Sequence, residues 1–458
     1  MGMGGAAALA VVGAKVMTQA ARPNVLLVFD DDHPPYMMEP MPVVRKGIRD
    51  RGVNSRGGHA DIPLCGPNRV SLLTGLSVTT HLCDTNPTYA LLLERNPGLE
   101  DLILPRFLRE AGYRTAHAGK YVNGRRISEP VPRHWDRWWQ TEQSRWGDDR
   151  AEVNANGAVK QIGGKPSMWA ARQVEGFIRS MAGSVEPWLA HYCPTIPHSP
   201  YEPTPESEHL FDGDTRDVPS TNEADLSDKP AWMQNLGRVG RREINPIVEG
   251  KKEELADLDR ECIAPVLNAL EETGQMGNTL VVFTSDNGYL AGEHRLAHKD
   301  QPYWESAQVP FFWSGPGVGV GASSGAHVST VDIAPTVLEA AGMDPGPLGM
   351  DGRVVDLATG ESGRKRILVT GSDEVGPEQN PDGANNPTGR WWLLAEDTKR
   401  FILRENGAKE LYRMGADAFQ NRSHHEKADP ALIRRLTETV EAMRAARGEE
   451  RRRLEGAP

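Results

Sequence analysis

Val25-Leu26-Leu27-Val28-Phe29 is an unbroken apolar run that ends on three consecutive acids, Asp30-Asp31-Asp32. Far downstream, Leu280-Val281-Val282-Phe283-Thr284-Ser285 leads into Asp286-Asn287-Gly288 in the same manner. A strand without polar alternation has both faces covered, which places it inside a parallel sheet flanked by helices. Trp188 to Cys193 and Val309 to Trp313 read as further strands beside Pro and Gly punctuation. Helical spacing recurs at Leu99 to Ala111, Met168 to Met181, Glu253 to Glu272 and Val331 to Ala341. Strands alternating with helices predict an α/β fold with a large, mainly parallel sheet sandwiched by helices. Ligands of such sheets bind beyond the carboxyl ends of the strands. Both acid clusters fall there.

With 458 residues the chain fits one large α/β domain plus an appendage. No stretch is long and apolar enough for a membrane-spanning helix. Four cysteines (Cys65, Cys83, Cys193, Cys262) are too few and too scattered for a disulfide framework, and no pair has zinc-ligand spacing. A formal net charge of −11 argues against a nucleic-acid partner. It also means that an anionic substrate needs a local cationic pocket.

Residues 1–21 are rich in small apolar residues and resemble the end of a secretory signal whose basic part is missing or lies upstream; a leader of no consequence fits equally. The first reading implies a secreted or periplasmic protein, the second a cytoplasmic one. Residues 22–359 form the expected main domain, within which 200–250, rich in Pro, Asp and Asn, reads as a long surface excursion facing substrate. Residues 360–447 read as a small C-terminal α+β subdomain containing an antiparallel sheet. Its strands are Arg390 to Leu403 and Lys409 to Arg413 around Asn406-Gly407, followed by a helix from Pro430 to about Arg447. The charge run 448–458 reads as a solvated tail.

Leu64 to Gly75 reads LCGPNRVSLLTG. Alone, a cysteine with proline two residues on and arginine four residues on fits a buried thiol before a helix starting near Pro67. Together with the paired acids it resembles the signature of the sulfatase family, within the alkaline phosphatase superfamily. In that family the cysteine is oxidised to formylglycine by a formylglycine-generating enzyme, and the hydrated aldehyde, a gem-diol, is the nucleophile. The resemblance covers nearly the whole chain from Arg22-Pro23-Asn24 onward. It implies a metal site at Asp31, Asp32, Asp286 and Asn287 with the residue at Cys65. All-oxygen donors from two strand ends suit Ca²⁺, with Mg²⁺ or Mn²⁺ as other hard cations.

Ala111 to Tyr121 (AGYRTAHAGKY) resembles the family stretch that ends in an active-site lysine, which makes Lys120 a clamp for a sulfate oxygen. Pro194-Thr195-Ile196-Pro197-His198 resembles the Pro-His motif, so His198 is expected at the ester oxygen and leaving group. Lys299, ahead of Tyr303-Trp304-Glu305, matches the second lysine, while His294 and His298 read as structural or rim residues. Arg69, Lys120 and Lys299 would supply the positive field that the net charge lacks. Cys65, at the predicted start of a helix, gains the anion-favouring N–H groups there.

The chain departs from the family pattern at three places. Asn68 and Leu76 stand where serine and arginine are commonest, and Tyr121-Val122-Asn123 replaces the usual Trp-His after the lysine. The last substitution resembles the branch acting on N-acetylglucosamine 6-sulfates; the resemblance implies that the missing histidine helps break down the covalent intermediate, which leaves Asn123 or His81, the expected substrate-binding residues, to cover part of that role. These readings imply a sulfuric ester hydrolase acting on a sulfated sugar, of glycosaminoglycan type. The aromatic run Trp135 to Trp139 is placed either against a sugar ring or in the core. The alternatives are a phosphonate monoester or phosphodiester hydrolase on the same scaffold, and a non-catalytic carbohydrate-binding relative with Cys65 unmodified.

Overall fold

The computed structural model of the protein describes residues 22–86, 93, 98–141, 151–372 and 389–456. The signal-like segment 1–21 lies outside them. Ten strands form one sheet in the order Ala322–Ser329, Gly52–His59, Phe311–Ser314, Thr279–Ser285, Asn24–Asp30, Trp188–Cys193, Arg114–Gly119, Arg137–Thr141, Glu152–Ala155 and Ala158–Gln161. The central strands are parallel, from Thr279–Ser285 through Asn24–Asp30 and Trp188–Cys193 to Arg114–Gly119 and Arg137–Thr141. Antiparallel pairings enter at Phe311–Ser314 and at the Glu152–Gln161 edge.

Both faces of Asn24–Asp30 are buried because the strand alternates between two cores. Val25, Leu27 and Phe29 pack with Leu72, Leu104 and Val337, whereas Leu26 and Val28 pack with Val174, Ile178, Val266 and Leu270. That division is the three-layer arrangement expected of an all-apolar central strand. The sheet register sets Asp30 beside Ser285, so the two acid clusters emerge side by side at one end of adjacent strands. The distance between the clusters in sequence disappears in the fold.

A second, antiparallel sheet has four strands in chain order: Arg366–Gly371, Trp391–Glu396, Lys399–Arg404 and Lys409–Arg413. One face carries Leu368, Leu394 and Phe401 against Leu436, Val440 and Met443 of the helix Pro430–Ala445. The other face seats Val369, Trp391 and Ile402 on Leu290, Tyr303 and Ala307 of the main unit. Glu410, buried between Arg404, Tyr303 and Tyr412, fixes that junction.

The structure corrects three sequence expectations. Arg390 to Leu403 is two strands, because the turn at Glu396–Lys399 reverses the chain before Asn406-Gly407 does so again. The surface excursion ends early, since Arg241–Asp257 is helical and runs on through a π-helical segment, Leu258–Ile263, into Ala264–Glu272. The charge run is only partly solvated: Gly448–Gly456 is a helix whose Arg451 and Glu455 are buried, and Glu455 pairs with Arg364 at 2.7 Å and Arg353 at 3.3 Å. Of the two places open to the aromatic run, the structure shows the core: Trp135, Trp138 and Trp139 are core side chains, with Trp135 and Trp138 packed around His117. They offer no stacking face to a sugar.

Candidate active site

The helix Cys65–Thr74 begins on Cys65, with Leu64 extended before it and Gly75 in the left-handed conformation closing it. All ten residues are buried, an unusual load for so polar a segment. Arg69 explains part of it. Its Nε and Nη2 donate to Asp286 Oδ2 at 3.0 and 2.8 Å, and its Nη1 donates to the Lys120 carbonyl at 3.0 Å. Asn68 explains more. Its Nδ2 donates to the Asp286 carbonyl, and its Oδ1 accepts from Asp61 N–H at 3.2 Å and Thr330 Oγ1 at 2.6 Å. The departure from serine at this position therefore ties the helix to the second acid cluster and also to Asp61 and Thr330.

Oxygens converge on the Cys65 sulfur. Asp31 Oδ1 lies at 3.3 Å, Asn287 Oδ1 at 3.5 Å and Asp32 Oδ1 at 3.9 Å, while Asp286 Oδ1 accepts from Asp32 N–H at 3.1 Å. Side-chain cations close the other side. Lys299 Nζ is 2.7 Å from Cys65 Sγ and 2.5 Å from Asp32 Oδ1, and Lys120 Nζ is 2.5 Å from Asp31 Oδ2. His198 stands at the rim with Nε2 3.7 Å from Asp32 Oδ2, while its Nδ1 donates to the Ser199 carbonyl at 2.7 Å. The structure thus gathers Asp31, Asp32, Cys65, Arg69, Lys120, His198, Asp286, Asn287 and Lys299 into one cluster.

Electrostatics follow from burial and charge together. Burial works against ionisation of Asp31, yet Lys120, His198, Arg69 and Lys299 outweigh it and hold the carboxyl well below its usual range. Asp32 is lowered in the same way, chiefly by Lys299 against burial. Asp286 moves up to about 6, because burial and the Asp31 charge prevail over Arg69. Burial and the neighbouring Asp286 and Asp31 push the Cys65 thiol up, so the unmodified sulfur keeps its proton at neutral pH and is no thiolate nucleophile. A crowd of carboxylates and an amide oxygen, all facing one point, is the donor set of a hard divalent cation. Asp31, Asp32, Cys65 and His198 place ligand atoms within 4.8 Å of one another. These residues can hold a metal ion.

Asn123 and His81 part company. Asn123 is buried against the start of the helix, where a Cβ on Gly66 would come 3.1 Å from its own Cβ, and its Oδ1 has no partner among the described residues. It remains a polar group beside the cluster. His81 does not join: Ser71 Oγ occupies its Nε2 at 2.9 Å and Cys83 N–H its Nδ1 at 3.0 Å, and burial lowers its pKa to about 3. The expectation that it binds substrate is corrected on that ground, since both ring nitrogens are used internally.

One of the three acids that end the first strand stays out of the cluster, and one lysine that supports the cluster carried no readable motif. Asp30, the extra acid of the first cluster, turns away to pair with His33 Nδ1 at 2.8 Å. Lys251, from the middle of an amphipathic helix, is buried and donates to the carbonyls of Asp32 and Pro197, each at 2.9 Å, with the Tyr289 ring 3.9 Å from its Nζ. Asp32 is left-handed at φ 65°, a conformation aspartate tolerates but does not choose unaided. Lys251 thus fixes the backbone of an acid and of the segment that carries His198. Lys251→Met is expected to lower turnover about 10–100-fold, as loss of a group supporting a ligand does. Unchanged steady-state kinetics would contradict this role.

Glycine at 119 is dictated by the same crowding. Its φ is 107°, and a Cβ there would lie 1.9 Å from the Cys193 carbonyl oxygen. Only a bare backbone brings Lys120 past the neighbouring strand.

A family model described as Sulfatase matches residues 19–343. The chain belongs to the sulfatase family. It is 31% identical over 351 residues to an extracellular sulfatase SULF-1 homolog of Drosophila melanogaster, covering 73% of this chain and 31% of that protein. To the N-acetylglucosamine-6-sulfatase of Homo sapiens it is 27% identical over 358 residues, or 72% of this chain and 63% of the human one. The chain therefore spans less than two thirds of the length of either relative. Among solved structures it superposes with a TM-score of 0.72 on a protein in complex with its substrate, D-glucosamine-2-N,6-O-disulfate. The two share 20% identity, and the match covers 92% of this chain and 97% of that one. This likeness is one of fold and spans nearly the whole chain. No helix among its described residues is long and apolar enough to cross a membrane.

Proposed function

We propose that this protein hydrolyses sulfate esters of a saccharide, with Cys65 matured to formylglycine by a separate generating enzyme and with Ca²⁺ as its cation. The observation that carries the reading is the convergence of Asp31, Asp32 and Asn287 oxygens on the Cys65 sulfur beside Lys120 and Lys299. Asp31, Asp32, Asp286, Asn287 and residue 65 would hold the cation. Bound there, the cation lowers the pKa of an adjacent oxygen nucleophile and polarises the ester, while formylglycine supplies that nucleophile in place of the protonated thiol.

The chain's own groups do the rest. Lys120 and Lys299 bind the anionic oxygens of the ester and neutralise charge gathering on the sulfuryl group. Arg69 stays on Asp286 and keeps that carboxylate aimed inward. His198, with Nδ1–H donated to Ser199, offers Nε2 to the site. Burial holds its pKa down to about 4, so Nε2 is bare at neutral pH until an anionic ester alongside favours its protonation. The protonated ring then gives its proton to the leaving alcohol, a contribution of about 10²–10⁴ in rate. Asn123, beside the helix start, contacts the saccharide. The likeness to N-acetylglucosamine-6-sulfatase favours a 6-O-sulfated glucosamine unit of a glycosaminoglycan. In this reading residues 22–359 are the catalytic domain and 360–447 a supporting subdomain.

Turnover of nitrophenyl sulfate, of a nitrophenyl phosphonate monoester and of glucosamine 6-sulfate, each before and after chelation and calcium addition, tests the proposal. Calcium-restored sulfate turnover is expected to exceed phosphonate turnover. Faster phosphonate hydrolysis would replace the sulfatase reading, and aryl sulfate cleavage without sugar desulfation would remove the saccharide part.

A further inference from the structure

His117 and His191 are register partners on the parallel strands Arg114–Gly119 and Trp188–Cys193, and two residues further along Gly119 lies opposite Cys193. Strand alternation puts all four positions on one face of the sheet. The side chains of His117, His191 and Cys193 are buried there and form one hydrogen-bonded chain. His117 Nε2 lies 3.2 Å from the Gly119 carbonyl oxygen, the two Nδ1 atoms are 3.1 Å apart, and His191 Nε2 is 3.0 Å from Cys193 Sγ.

One end of this chain fixes every proton on it. A carbonyl only accepts, so His117 carries its proton on Nε2. Burial lowers both histidines, His191 to about 3, and the rings are neutral. His117 Nδ1 is therefore bare and accepts from His191 Nδ1–H. His191 Nε2 is bare in turn and accepts from the Cys193 thiol, which burial keeps protonated by raising its pKa to about 12. Trp138 lies against His117 with ring centroids 4.6 Å apart, and Trp135 stacks on His191 at 5.8 Å. Polar groups in a core are tolerated when all are satisfied, and all four ring nitrogens are.

The chain ends on the peptide unit that joins Gly119 to Lys120. Its carbonyl accepts from His117, and its N–H donates to the Cys193 carbonyl at 2.8 Å. Gly119, with φ 107° and no side chain, does not restrain that peptide by itself. Lys120 is the residue it delivers, with Nζ 2.5 Å from Asp31 Oδ2 and its carbonyl accepting from Arg69 Nη1 at 3.0 Å. Cys193, at the other end of the chain, faces Arg69 as well.

We propose that His117, His191 and Cys193 are positioning residues for sulfate hydrolysis, holding the Gly119–Lys120 peptide so that Lys120 meets the ester oxygen. The inference rests on the role proposed above for Lys120 and adds three residues that touch no substrate.

Steady-state hydrolysis of nitrophenyl sulfate by the full-length matured protein tests it. His117→Phe keeps the packing and removes the donor, and should lower kcat/KM about 10–100-fold, as a small misplacement of a positioning group does. His117→Gln, with an N–H at about the reach of Nε2, should return to within about threefold of the parent. In a Lys120→Met background His117→Phe should cost less than about twofold, because the group it positions is gone. From the far end, Cys193→Ala should cost about fivefold and Cys193→Ser, which still donates, less than about twofold. The Cys193 pair decides the matter if His117→Phe does not fold. Parental kcat/KM in His117→Phe and Cys193→Ala, or an undiminished His117→Phe loss in the Lys120→Met background, would overturn the inference. A parent that turns over no sulfate ester would overturn the proposed function and this inference with it.

Discussion

Cys65→Ala is expected to cut hydrolysis of nitrophenyl sulfate by at least about 10³-fold, to the background set by the remaining cations, as removal of a covalent nucleophile does. The loss should be confined to chemistry. Cys65 contributes one small buried atom, and no other side chain depends on its sulfur for charge balance: Lys299 keeps Asp32 at 2.5 Å and Asp31 keeps Lys120. Cys65→Ser discriminates further, because a hydroxyl fits the space yet cannot yield the aldehyde in the same way. Both variants should melt close to the parent in thermal denaturation. Residual turnover within about tenfold of the parent in either would mean that position 65 is not the nucleophile.

Arg69→Leu should instead be a stability defect, with activity lost as a consequence. The guanidinium holds Asp286 through two hydrogen bonds and lies 3.6 Å from Asp31, with every group fully buried. Removing it strands carboxylates in the interior, a cost of about 3–5 kcal/mol where one member of a buried pair is deleted. Denaturant titration should show the midpoint falling with the slope unchanged. Asp286→Asn is the informative partner. If the pair is the cause, the double variant should be less destabilised than the two single effects added; simple additivity would contradict it.

A milder effect concerns pH. Glu254 is buried, with Oε1 accepting from Glu202 N–H at 3.0 Å and Oε2 unpartnered, and burial raises its pKa from 4.5 to about 8 against the pull of Lys251. The unfolded carboxyl ionises near its ordinary value while the native one keeps its proton. Over that window the native state binds more protons, so stability is fully present below about pH 4.5 and is lost as pH rises towards 8. Glu254→Gln, which cannot ionise, should flatten the decline. Parallel stability curves from pH 5 to 8 would contradict the assignment.

Much of the architecture is legible in the chain because the signals are local and redundant. Val25 to Phe29 cannot be anything but a strand covered on both faces, and the acids at its end mark the side where a ligand binds. Trp188 to Cys193 is read to the residue because a Pro precedes it and another follows. What escapes is partnership. Lys251 has no motif, only a place in an amphipathic helix, and its value lies in two carbonyls contributed by distant loops. The helix Arg241–Asp257 hides behind Pro246, a residue that normally argues against a helix interior. The tail misleads for the converse reason: a run of arginine and glutamate looks solvated until Arg364 and Arg353 are found waiting for Glu455. Trp135 to Trp139 show the limit of composition, since aromatic residues suit a sugar face and a core equally. His81 looked available only because Ser71 and Cys83, its real partners, are invisible as such in sequence.

Mass spectrometry of the peptide spanning residue 65, taken from protein made in a host that has the oxidising enzyme, bears most directly on the chemistry. Conversion of the thiol to an aldehyde is expected, seen as a loss of about 18 Da. An unmodified cysteine in protein that nonetheless hydrolyses sulfate esters at full rate would contradict it.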